Sequence, residues 1–312
     1  MPELNPLPKK ERTSGLIAAP YSPFDNKMRL NTEPVGDYAA MLIRNGVTGA
    51  FICGSSGEGI SLTADERKEL AEEWASHASG KLKLIIHVGA TNIKDSCELA
   101  AHAREIGADG IASVEPVYYL QPWMEDLVVY YREISMSAPG IPFYSYYIPA
   151  LTGYKTDYVD FCRRAILEIP DFAGIKYTNN NLVEYARLVK GFGEGIDILF
   201  GSDELLINAL ASGAQGAVGS TYNFMPSLYI DLIRFFNRGE INAARELQLI
   251  AQNIISLMPK YHGSIVFGKA IMKMTGIDCG PNRLPLKNLS VKEYESLKTD
   301  LADAGFFNYC CK

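Results

Sequence analysis

The fold class this sequence predicts is a (β/α)8 TIM barrel with a C-terminal helical extension, and three observations carry that expectation. Eight short apolar runs bounded by turn residues alternate with longer amphipathic segments, the pattern of βα units around a parallel sheet. After the eighth run, four helical patterns follow one another without a strand, a tail that a doubly wound sheet does not absorb. A chain of 312 residues is long for one ordinary domain but ordinary for one barrel. The expected organisation is an N-terminal tail over 1–14, the barrel over 15–225, and a helical layer over 226–312 packed on it.

Taken in order, the expected strands span 15–19, 49–53, 82–88, 110–114, 142–146, 172–176, 197–200 and 216–219. The helix expected over 63–79 opens with Thr63 and Glu66, a capping box, ahead of the periodic apolar residues Leu70, Trp74 and Ala78. Further helical patterns fill 93–106, 123–136, 158–167, 183–190 and 204–211. Two units share a phrase in which a helix end runs through Gly107 or Gly213 into the next strand. A glycine just past a helix end supplies the left-handed turn this needs. The tail reads as helices over 226–238, 241–259, 265–275 and 291–304.

Composition excludes several function classes. A formal net charge of -6 and only short basic clusters, such as Arg163-Arg164, argue against nucleic-acid binding. The charged, proline-rich opening has no apolar core of a secretory signal, and no apolar stretch is long enough to span a bilayer, so a cytoplasmic protein is expected. Six scattered cysteines include no C-x-x-C pair and read as reduced thiols, mostly buried, with the vicinal Cys310 and Cys311 exposed. The four histidines lack metal-ligand spacing, and His87, inside a strand, reads as a hydrogen-bonded core residue. Neither a dinucleotide-binding nor a P-loop glycine pattern occurs, so no metal and no cofactor is expected.

In a barrel the active site lies at the carboxyl ends of the strands, and polar residues gather there. Lys176 ends an apolar strand, where desolvation lowers an amine pKa towards the neutral, nucleophilic form used in Schiff-base chemistry; the bland alternative is an amine that snorkels to water. The turn Gly54-Ser55-Ser56-Gly57 either aims amides and hydroxyls at a carboxylate or phosphate, or is a plain β-turn. Glu58 behind it is a helix-side charge or a buried acceptor that stiffens the loop. Tyr146 is an amphipathic strand residue or, if it faces Lys176, a proton shuttle. Asp203 and Glu204 form a carboxylate pair for a hydroxyl-rich ligand or complement a helix dipole.

In combination and in order, GSSGE, YYIPALTG, GIKYT, GSDE and GSTYN resemble the N-acetylneuraminate lyase group of the dihydrodipicolinate synthase superfamily, over essentially the whole chain from Gly15. The resemblance implies pyruvate-handling class I aldolases that cleave the sialic acid N-acetylneuraminate to N-acetylmannosamine and pyruvate, without cofactor, as homotetramers. It implies Lys176 as the Schiff-base lysine, Tyr146 as general acid/base, and Ser55 and Ser56 as holders of the pyruvyl carboxylate. Thr178, Gly201, Asp203, Glu204 and Ser220 would contact the sugar, and Tyr119 or its neighbour Tyr118 would be lent by an adjoining subunit. Dihydrodipicolinate synthases are similar in the first three motifs but carry arginine two residues after the proline of the strand-five loop. Leucine stands there as Leu151, which cannot pair with a second carboxylate. Ser56 replaces the usual threonine and loses its β-branched rotamer lock. The competing expectations are another aldolase, acting on a 2-keto-3-deoxy sugar acid, and a non-catalytic barrel that binds sialic acid or pyruvate.

Overall fold

The computed structural model describes residues 13–78, 80–120 and 123–312. The tail expected over 1–14 and the helix end at Ser79 therefore lie wholly or partly outside the described residues. Eight parallel strands close into a barrel in chain order, with β1 (Gly15–Ala18) pairing β8 (Gly216–Gly219). Between them stand β2 (Gly49–Ile52), β3 (Lys83–His87), β4 (Gly110–Val114), β5 (Phe143–Tyr147), β6 (Phe172–Tyr177) and β7 (Asp197–Phe200). All eight sequence-predicted strands are present, with ends shifted by a residue or so.

The connecting helices are α1 (Val35–Arg44), α2 (Ala64–Ala78), α3 (Ile93–Glu105), α4 (Met124–Met136), the single turn α5 (Pro149–Thr152), α6 (Tyr158–Glu168), α7 (Leu182–Phe192) and α8 (Leu206–Ala211). The capping box of α2 forms as read: the Glu66 N–H donates to Thr63 Oγ1 at 3.2 Å and the Thr63 N–H to Glu66 Oε2 at 2.9 Å. Gly107 and Gly213 take φ of 76° and 96°, so the repeated phrase is the left-handed exit from a helix. α1 has no counterpart among the helices expected from the sequence: it enters through Pro34 with no side-chain cap and so lacks the start signal that marks α2.

Beyond the barrel follow α9 (Pro226–Asn237), α10 (Ile241–Ile255), α11 (Ser264–Met274) and α12 (Val291–Asp303). The helix expected over 241–259 ends at Ile255, and a separate 3₁₀ turn, Met258–Tyr261, carries the chain onward, since Pro259 cannot continue the α-helical ladder. α10 packs along α9 and against the turn that follows β7, which brings the helical layer to the mouth of the barrel. No described helix is long and apolar enough to cross a membrane.

Two cores result from strand alternation. Inward side chains such as Ile17, Phe51, Ile85, Tyr144, Leu199 and Val218 fill the barrel, while outward ones join the helices in the larger core. The expectation of an exposed C-terminal cysteine pair is corrected. Cys311 is buried, its amide donating to Phe224 O and its thiol to Asn223 O, so the last residues dock on the helical layer.

Candidate active site

Ile175 and Tyr177 face the outer core, so alternation turns Lys176 into the barrel. Its amine does not reach water: the residue is 4 % exposed, with Nζ 4.0 Å from the ring centre of Phe51 and 3.9 Å from that of Tyr146. Burial lowers its pKa from the usual lysine value to about 7, while the Asp203 carboxylate pulls it back up. A large neutral fraction near pH 7 is what a nucleophilic amine requires. The pH dependence has a definite sign. Below about 7 Lys176 is protonated, so kcat/KM for an imine-forming substrate should fall roughly tenfold per pH unit on that acid limb. Asp203→Asn should move the limb to lower pH, and a limb above pH 9 would show that the amine is solvated.

Tyr146 sits beside Lys176 because β5 and β6 pair in the register Tyr146↔Lys176. Burial pushes its phenol up to about 12, with the Ser55 hydroxyl opposing, so it carries its proton at neutral pH. Its oxygen lies 3.2 Å from Ser55 Oγ, which gives that proton a way in and out. Behind both, His87 presents its ring edge-on to Tyr146, centroids 5.9 Å apart. The ring's Nδ1 bonds the Cys53 carbonyl at 3.0 Å and its Nε2 accepts from the Val114 N–H at 3.1 Å. Both nitrogens are engaged and burial holds the imidazole neutral, which makes His87 the core residue the sequence suggested.

The Gly54–Gly57 turn is shaped by two left-handed corners, Cys53 at φ 58° and Glu58 at φ 53°. Inside it the Gly59 N–H donates to Gly54 O and the Glu58 N–H to Ser55 O, both at 3.1 Å. The amides of Ser55 and Ser56 donate to no backbone carbonyl among the described residues, which leaves them available to a ligand. Glu58 itself is buried rather than on a helix side, which resolves its two readings.

Asp203 lies with Glu204 in the first turn of a 3₁₀ helix, Asp203–Leu205, ahead of α8, the place the dipole reading gave it, but its carboxylate is committed to the turn after β8. Its Oδ2 accepts from the Thr221 N–H at 2.9 Å and hydroxyl at 2.6 Å, while Oδ1 has no hydrogen-bond partner among the described residues. Burial raises its pKa to about 6, opposed chiefly by the Thr221 hydrogen bonds. A Cβ on Gly219 would stand 1.9 Å from that free oxygen, so glycine is what lets β8 pass. Likewise a Cβ on Gly201 would lie 2.0 Å from Thr178 Oγ1, a buried hydroxyl without a hydrogen-bond partner among the described residues.

These groups surround one cavity of about 400 Å³. Ser55, Ser56, Tyr146, Lys176, Thr178, Gly201, Asp203, Glu204 and Ser220 all line it, and so does Leu151. Tyr119 does not: it is 75 % exposed after β4, next to Tyr118, which is 87 % exposed with φ 74°. A larger hollow of about 970 Å³ lies between α6 and α7 and holds none of these residues. Sequence reasoning missed the far wall of the site cavity. Ile255, Met258, Ser264 and Ile265 come from the helical layer, and a search of strand ends cannot reach them. Chemically, the cavity pairs an amine with a large neutral fraction near pH 7 and a protonated phenol with a donor-lined turn at one end and free carboxylate and hydroxyl oxygens at the other.

Residues 12–304 match the profile of the dihydrodipicolinate synthetase family. The chain is 38 % identical to the N-acetylneuraminate lyase of Pongo abelii over 305 residues, covering 96 % of this chain and 95 % of that one. Among solved structures it superposes on the Proteus mirabilis N-acetylneuraminate lyase with a TM-score of 0.92 at 37 % identity, covering 95 % of this chain and all of that one. The sialic acid aldolase of Aliivibrio salmonicida gives the same TM-score at 34 % identity, with 95 % and 98 % covered.

Proposed function

Because the chain belongs to the dihydrodipicolinate synthetase family, we propose from its site that it is a class I aldolase, cleaving N-acetylneuraminate reversibly to N-acetyl-D-mannosamine and pyruvate. The observation that carries the reaction type is the buried amine of Lys176 against Tyr146, held near neutrality in a cavity with a donor-lined turn. What supports the substrate is the name shared by these relatives together with Leu151, an uncharged residue on the cavity wall.

Neutral Lys176 attacks the C2 ketone of the open-chain sugar acid, and loss of water leaves a protonated imine. That imine is the electron sink: the C4 hydroxyl proton leaves and the C3–C4 bond breaks, its electrons passing to the imine to form an enamine. Tyr146 takes the C4 proton as it passes its own phenolic proton to Ser55 Oγ and on to the substrate carboxylate, the net acceptor, and the freed aldehyde is N-acetylmannosamine. Protonation of the enamine at C3 and hydrolysis release pyruvate and restore Lys176. Ser55 and Ser56, with their amides, hold the carboxylate throughout. Thr178, Gly201, Asp203, Glu204 and Ser220 bind the hydroxyls of the sugar tail; the unpartnered Asp203 Oδ1 and Thr178 Oγ1 support this.

The enzyme works as a homotetramer in which Tyr119 or Tyr118 joins the proton relay of an adjoining subunit; their exposure beside the barrel mouth supports that role. The deciding measurement is cleavage of N-acetylneuraminate against 2-keto-3-deoxygluconate. The expected result is a kcat/KM higher on the former by about 10²-fold, since the site's polar groups are left unpaired by a substrate lacking matching ones. Inactivity on N-acetylneuraminate would overturn the substrate.

A further inference from the structure

The corner that ends the carboxylate-binding turn is held from outside the barrel. Glu58 keeps a left-handed backbone, φ 53°, uncommon for a residue with a side chain and maintained only where the surroundings impose it. What imposes it is α11. Lys269 Nζ forms an ion pair with Glu58 Oε1 at 2.7 Å, with both side chains 2 % exposed, and donates a hydrogen bond to Pro281 O at 3.0 Å. The Arg283 N–H donates to Glu58 Oε2 at 3.3 Å, and both cations sit on the Phe24 ring, its centre 4.3 Å from Lys269 Nζ and 4.2 Å from Arg283 Cζ. Arg283 continues to Glu66, the capping residue of α2. The turn is thus pinned to two helices.

A buried ion pair is a poor device for stability alone, because desolvating both charges offsets most of their attraction. It is a good device for fixing one geometry. α11 also supplies Ser264 and Ile265 to the cavity wall, so Lys269 joins the two ends of the site through one rigid helix. We propose that Lys269 is a positioning residue of the active site: through its pair with Glu58 it sets the corner that aims Ser55 and Ser56 at the carboxylate of the keto acid. The inference rests on the aldolase reading above.

The test separates carboxylate recognition from imine formation. Pyruvate and acetone both form imines with a nucleophilic lysine, but only pyruvate carries a carboxylate, and borohydride fixes either adduct for mass measurement. In Lys269→Met and in Glu58→Asp, which keeps the charge pair but shortens its reach, half-maximal trapping should need about tenfold more pyruvate, while acetone trapping stays within about twofold. The KM for cleavage should rise by a similar factor with kcat changed about threefold or less, and Lys269→Arg should restore most of the loss. Equal changes for the two ketones, or an arginine variant as poor as methionine, would overturn the positioning role. Wild-type protein that traps neither ketone would instead sink the aldolase reading.

Discussion

Lys176→Ala is expected to abolish turnover, lowering kcat by about 10⁴-fold or more, and to remove the borohydride-stable pyruvate adduct from the protein. The reason is geometric as well as chemical. No other described lysine lines the cavity, so no second amine can substitute. The protein should stay folded. Alanine gives up the contacts of the amine with the Phe51 and Tyr146 rings but also relieves the burial of a group that prefers water, so the unfolding midpoint should move by no more than a few degrees. An adduct that persists on another residue, found by peptide mapping, would overturn the assignment of the nucleophile.

Tyr146→Phe separates the two halves of the chemistry. Phenylalanine keeps the ring under Nζ of Lys176 and against Phe51, so imine formation should persist and pyruvate should still be trapped. It removes the hydroxyl that meets Ser55, so kcat should fall by about 10²- to 10⁴-fold, the usual reach of a positioned acid/base group. Ser55→Ala should cost less, because the phenol keeps its proton without it. Cleavage within about tenfold of wild type in Tyr146→Phe would show that another group carries the proton.

The imine end of the site was legible because barrel geometry converts a position in the sequence into a position in space. A residue that ends a strand is at the mouth, which placed Lys176 there, whereas Tyr146 was matched to it only through the family resemblance until the register of β5 on β6 set the two side by side. Turn chemistry was legible for the same local reason, as with Gly107 and Gly213. Asp203 was harder: next to Glu204 it looked like the start of a helix, and only the fold brings Thr221 and Gly219 against it. Glu58 could not be resolved either, since its partner lies 211 positions away in Lys269, and periodicity says nothing about which helices dock where. The same limit hid Ile255, Met258, Ser264 and Ile265.

That last group has a consequence for how such an enzyme can change. The bond-breaking machinery is built into the strands, where one altered register would disturb the whole barrel, whereas the far wall of the cavity is contributed by helices added after the ring has closed. Side chains at Ile255, Met258 and Ile265 can be exchanged without touching a strand, a hydrogen-bond ladder or the lysine. The sugar's hydroxyls are met at the strand ends, but the shape of the wall facing them is written in a separate stretch of the polypeptide, and a lineage can revise that wall while the bond-breaking residues stand still.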